Sequence, residues 1–163
     1  LPQGRVNYGI ASDGQAYPVV VDTDGTVRVE GMAFNGSTYE ALRNNHEVTV
    51  LASSARTAAE DSADMINYNA RGAVVVVNVT PVAGTATITP TIQGKSSLGS
   101  DYYNILAGSA IAATGEVILR VYPGLTAAAS VTVNDILPRL WRVSMAVANT
   151  SSATYSVSSN YVL

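Results

Sequence analysis

The chain has 163 residues, 47% of them hydrophobic and only 13% charged, with a formal net charge of −3 at pH 7. That length suits one compact domain plus an extension, and it buries a core without covalent staples. The missing cysteines exclude disulfides, zinc–thiolate sites and thiol catalysis, and an acidic balance without a basic cluster argues against binding along a phosphate backbone.

The opening Leu-Pro-Gln-Gly-Arg shows neither a secretion-signal pattern nor an initiator methionine, so a processed or shortened start is expected. Residues 1–47 then read as an N-terminal arm. Asp13-Gly14, Asp24-Gly25 and Asn35-Gly36 favour tight hairpin turns, because both positions of each pair tolerate positive φ. Around the second turn, Tyr17–Val21 and Val27–Val29 form a candidate ribbon; around the third, Met32–Phe34 faces Thr38–Leu42. A rival reading makes Ser37–Asn45 a short helix, since Ser37-x-x-Glu40 fits a capping box. The hairpin is preferred because nine residues is short for a stable helix. The ribbons have too few apolar residues for a core of their own, so the arm must lie on the body, a neighbouring copy or a partner.

Residues 48–163 read as a β-sandwich, because short stretches rich in Val, Ile, Thr and Tyr recur between Gly, Pro, Asn and Ser. Val48–Ala52 is the first strand, followed by a polar loop holding Glu60, Asp61 and Asp64. Ala73–Thr80 is apolar on both faces and is expected to be central and buried on both sides, with Val76 in the core. Thr85–Gln93 runs back, and Pro90 within it implies an edge strand or a bulge. Asp101–Ala107 follows, and then Glu116–Tyr122 alternates, with Val117, Leu119 and Val121 facing one way. Leu140–Val147 turns Trp141, Val143, Met145 and Val147 to one side, and Thr154–Leu163 does so with Tyr155, Val157 and Tyr161. The expected fold is an all-β, antiparallel, jelly-roll-like β-sandwich carrying an arm of β-hairpins. No apolar run reaches the roughly 18 residues that span a bilayer.

The chemistry-bearing residues are few. Asp22-Thr-Asp24-Gly25 superficially fits a calcium loop but lacks the remaining ligand positions, and a turn accounts for it. Glu60, Asp61 and Asp64 read as solvated surface, with no histidine placed beside them. His46, the one histidine, sits at the junction of arm and body and reads as a polar linker residue, or alternatively as a pH-sensitive contact. Adjacent Tyr102 and Tyr103 must point to opposite faces, which weakens a sugar-binding platform. No catalytic, metal or cofactor residues emerge, so a non-enzymatic role is expected. The low charge leaves a surface of Ser, Thr, Asn, Gly and Ala that packs readily against protein. The charges are uneven: residues 1–50 carry three arginines against six carboxylates, and from residue 51 the signs balance. Eight of the nine cations are arginine, the residue better suited to interface ion pairs.

Five body segments, in this order, resemble a group of small β-sandwich virion proteins of tailed bacteriophages: Asn67-Tyr-Asn-Ala-Arg-Gly-Ala-Val-Val-Val-Val77, Thr91-Ile-Gln-Gly-Lys95, Asp101-Tyr-Tyr-Asn-Ile-Leu106, Leu119-Arg-Val-Tyr-Pro-Gly-Leu-Thr126 and Asp135-Ile-Leu-Pro-Arg-Leu-Trp-Arg-Val143. The resemblance covers residues 48–163, and Phe34-Asn-Gly-Ser-Thr-Tyr39 with Arg43 is similar to short ribbons of phage structural proteins, Tyr39 standing where tryptophan is frequent. It implies a virion protein of the particle surface in many copies, foremost a capsid decoration (cement) protein that stabilises the outer shell. The arm would reach over the major capsid protein, or other virion proteins, by strand addition, and lattice repetition would add up modest contacts. Tyr17, Phe34 and Tyr39 would be its anchors, and Arg28 and Arg43 would pair with shell carboxylates. A homo-oligomer, such as a trimer, fits a capsid lattice; neither nucleic acid nor membrane is an expected partner. The alternatives are a tail, baseplate or head-fibre component with a receptor-binding role, and a carbohydrate-binding module.

Overall fold

The computed structural model describes residues 7–10, 16–19, 32–34, 37–149 and 151–163. It divides into two compact units, Leu1–Leu42 and Arg43–Leu163.

In the first unit, β1 (Asn7–Ile10) pairs antiparallel with β2 (Ala16–Val19), Gly9 opposite Tyr17. The pairing runs across the segment that holds Asp13-Gly14; the Asp24-Gly25 turn and Val27–Val29 lie outside the described residues. β3 (Met32–Phe34) pairs with β4 (Tyr39–Ala41), Phe34 opposite Tyr39. The hairpin prevails over the helix expected as its rival. Among the described residues each of these sheets has two strands.

The second unit is an all-β sandwich. One sheet comprises β5 (His46–Arg56), β8 (Gly72–Val82), β11 (Gly115–Val121), β12 (Thr132–Val133) and β14 (Ala153–Val162), in the order β12-β11-β8-β14-β5. The other comprises β6 (Glu60–Asp61), β7 (Met65–Ile66), β9 (Thr87–Lys95), β10 (Tyr102–Ala107) and β13 (Leu140–Ala148), in the order β10-β9-β13-β6, with β7 also on β13. The pairs are antiparallel except β11–β12. After the β9–β10 hairpin the chain returns to lay β11 beside β8, a Greek-key path across the two sheets.

The period-2 alternation places the core. Val75, Val77 and Val79 from β8, Leu119 and Val121 from β11, Trp141, Val143 and Met145 from β13, and Tyr155 and Val157 from β14 are all fully buried, meeting Ile88 and Ile92 from β9. Full burial of an aliphatic side chain of this size stabilises by about 1.5–3 kcal/mol relative to leaving it exposed. Trp141 is the largest of them; its Nε1 donates to Tyr161 Oη at 3.1 Å and its ring meets Tyr161 edge-on at 5.8 Å. Tyr161 stacks in turn on His46 at 4.6 Å. His46 is therefore the half-buried first residue of β5, not a linker residue.

Two expectations change. β8 is central, but only its inner face is fully buried; Val74 and Val76 on the outer face are half-buried, beside their sheet neighbours Arg120 and Ile118, with no second layer over them among the described residues. Pro90 lies on an interior strand in continuous register with β13, not at an edge. Its carbonyl accepts from Gly108 N at 2.8 Å, just beyond the end of β10. The missing N–H thus faces a position where no ladder partner is needed. The irregularity is in β10, between Asn104 and Leu106.

Candidate interaction surfaces

The expected arm anchors are described only in part. Tyr17 opposes Gly9 and Tyr39 opposes Phe34 in the hairpins, and the orientation of the two tyrosine side chains lies outside the described residues, as does all of Arg28. Phe34 is 59% exposed and Leu42 54%. Arg43 belongs to the sandwich unit: its backbone N–H donates to Asn69 Oδ1 at 3.1 Å, its carbonyl accepts from Asn69 Nδ2 at 2.8 Å, and its guanidinium lies 4.1 Å over the Tyr68 ring.

A polar network covers the outer face of the β10-β9-β13-β6 sheet. Alternation turns Gln93, Lys95, Tyr102 and Arg142 away from the core. Arg142 stacks on the Tyr102 ring at 3.6 Å, donates from Nε to Gln93 Oε1 at 2.9 Å, and pairs through Nη1 with Asp61 Oδ2 at 2.8 Å. Asp64 accepts from Lys95 Nζ at 2.6 Å and from the Tyr102 hydroxyl at 2.5 Å. These two hydrogen bonds, Lys95 first, hold the Asp64 carboxyl below its usual range, and the same carboxylate raises the Lys95 ammonium. Glu60 is likewise engaged, by Arg56. The three acids that sequence reading placed on a solvated loop are thus ion-paired, because the chain folds back there to add β6 and β7 to the edge of β13. Every one of these charges has a partner, so the network pins a sheet edge and offers no unengaged acid or base. Among the described residues, no three His, Asp or Glu are grouped to hold a metal ion.

Arg56 is a second pin. It donates to Tyr155 O at 2.8 Å, Ala52 O at 2.9 Å and Ser54 O at 3.1 Å, closing over the register shift where β5 crosses Tyr155 and Val157. The Tyr155 hydroxyl is buried and has no hydrogen-bond partner among the described residues. Burial raises the pKa values of Tyr155 and Tyr161 above the ordinary phenol value.

The near end of the sandwich, where Arg43 begins the unit, is different in character. Asn67 fastens its loops: Nδ2 donates to Leu137 O at 2.8 Å and Ala70 O at 2.9 Å, while Oδ1 accepts from Ala70 N at 2.9 Å. Next to it, the Arg71 guanidinium lies 5.5 Å from the centre of the Tyr122 ring. An open groove of about 600 Å³ runs past Ser96, Ser97, Tyr103, Pro138, Arg139 and Leu140. Tyr103 is half exposed and lies over Gly94, where a Cβ would fall 2.4 Å from its Cζ; only glycine admits the ring there. Tyr102 and Tyr103 occupy opposite faces, as alternation requires. Ile66, Leu98, Ile136 and Leu163 are also exposed at this end, Leu98 almost completely.

Sequence reading missed Tyr68, Arg71 and Tyr122 as surface residues. Their one visible trace was the aromatic-and-arginine string Asn67-Tyr-Asn-Ala-Arg71; Tyr122 reaches Arg71 only because β11 and β8 are neighbours. Comparison of the chain with models of protein families, with curated proteins and with solved structures finds no match.

Proposed function

We propose that the protein is a non-enzymatic structural component of a tailed-phage virion, a decoration protein that attaches to the outer shell through its N-terminal unit. One observation carries the reading: a sandwich holding its entire core between Leu51 and Tyr161 is preceded by a unit of two-stranded hairpins that exposes Phe34. A two-stranded ribbon is marginally stable by itself in water, and binding relieves both its open edges and its exposed apolar side chains. The test is particle binding after deletion of residues 1–42. The truncated sandwich should keep its cooperative unfolding and lose particle attachment, and cryo-microscopy of the intact particle should place the protein on the shell in many copies. Localisation to the tail or baseplate replaces the decoration role with the tail alternative; full occupancy by the truncated form ends the arm model.

A second reading, carbohydrate binding, is favoured by the groove beside half-exposed Tyr103, whose ring offers a face for a sugar. Tyr102 is not the residue to test, because Arg142 covers its ring, and Trp141 is core. Glycan-array binding that disappears in Tyr103→Ala supports this reading.

A further inference from the structure

We propose that the near end of the sandwich binds the acidic N-terminal unit of a second copy of this chain, Arg43 and Arg71 taking its carboxylates while Tyr103, Pro138 and Leu140 receive its apolar side chains.

Three separate observations meet there. The first is charge pairing. Arg56, Lys95 and Arg142 each hold a carboxylate, whereas Arg43 and Arg71 have none among the described residues and instead lie over Tyr68 and Tyr122. A guanidinium stacked on an aromatic ring is held in one orientation with N–H groups left for an in-plane carboxylate, the geometry of bidentate recognition. The second is apolar exposure: Ile66, Leu98 and Ile136 surround the same end. Clustered exposure of this kind marks a contact surface, where scattered single residues would not. The third is the complement. Residues 1–42 hold five carboxylates against two arginines, a net −3, while residues 43–163 hold seven of each sign. The chain's whole charge excess therefore lies in the unit that also exposes Phe34 and Leu42. One copy supplies the acidic and apolar segment, and another supplies the Arg43 and Arg71 guanidinium groups and the groove. The contact needs only a second copy and does not depend on the virion role.

Sedimentation of the full-length protein over a range of concentrations, at low and at physiological salt, tests it. The wild type should associate reversibly and more weakly as salt rises. Arg43→Gln with Arg71→Gln should weaken association roughly tenfold and flatten the salt dependence, with an unchanged thermal unfolding midpoint. Arg43→Glu with Arg71→Glu should leave a monomer, and mixing that variant with Asp22→Lys/Asp24→Lys should restore association between the two. A wild type that stays monomeric at low salt and the highest soluble concentration overturns the proposal, because the near end then serves another occupant. Association unchanged by the glutamine pair, or no association in the charge-swapped mixture, overturns it equally.

Discussion

At the far end of the sandwich, Thr57, Ala58, Ala59, Ala110, Ala112 and Ala113 close the strands with short exposed side chains, whereas at the near end Ile66, Leu98, Tyr103, Ile136 and Leu163 stand in solvent. Both ends cap the same core, so packing does not require the difference. Far-end loops need only turn the chain, and Ala, Gly, Ser and Thr do that without exposing large apolar surface. The near end carries apolar groups that contribute nothing to the core, together with arginines laid on tyrosine rings. A sandwich whose two ends differ this way is polarised, with its exposed large apolar side chains at the end where Arg43 begins the unit.

Substitutions sharpen this contrast by separating folding from binding. The largest effect is expected at Trp141, beneath the near end: Trp141→Ala removes a fully buried indole and the partner of Tyr161 and should cost about 3–5 kcal/mol in denaturant unfolding. A loss below about 1 kcal/mol would mean that the near-end loops are not seated on the core. Leu119→Ala, fully buried at mid-sheet, should cost about 2–4 kcal/mol, and Val76→Ala, half-buried on the outer face, no more than about 1 kcal/mol. Equal losses would mean that another layer covers the outer face of β8. Leu98→Ser with Ile136→Ser should leave stability within about 0.5 kcal/mol of wild type and weaken association or particle binding, while Ala110→Ser with Ala112→Ser at the far end changes neither; the opposite pattern breaks the contrast.

Smaller effects come from the pinned groups. Tyr155→Phe keeps the ring under Arg56 and removes an unpartnered hydroxyl, so unfolding should show no loss, or a gain of up to about 1 kcal/mol. The smallest is the pH dependence of the exposed Asp64–Lys95 pair. The folded pKa of Asp64 lies below 3.8, so its contribution is present above that value and fades as pH falls through the folded pKa. That of Lys95 lies above 10.5, so its contribution is present below that value and fades as pH rises through the folded pKa; Tyr155 and Tyr161, raised above 10.0, act in the same alkaline direction. Melting temperatures of Asp64→Asn should therefore converge on those of the wild type in acid; a constant offset at all pH values would show that the carboxylate's charge is not what matters.

The strands were legible because alternation is a local signal: Trp141, Val143 and Met145 on one face and Arg142 and Ser144 on the other follow from spacing alone. The third hairpin was legible for a similar reason, its Asn35-Gly36 lying between the residues that pair. Pro90 and Val76 were misread because strand order decides whether a position is an edge and whether its second face is covered, and no local pattern carries that order. The acidic residues do lie at the surface, but the ion pairs of Asp61 and Asp64 were not legible, because Arg142 and Lys95 are far along the chain and come beside them only when β6 and β7 join β13.

By itself, the order of residues determined an all-β body with a largely alternating apolar face, an acidic leading segment and a chain poor in ionisable chemistry, since each depends on composition or on neighbours a few residues apart. Only the tertiary structure decided which arginines lack a carboxylate among the described residues, which tyrosines they cover, and that the exposed apolar side chains of the sandwich share one end. Those are distances between residues remote in sequence, set when two sheets close over a common core.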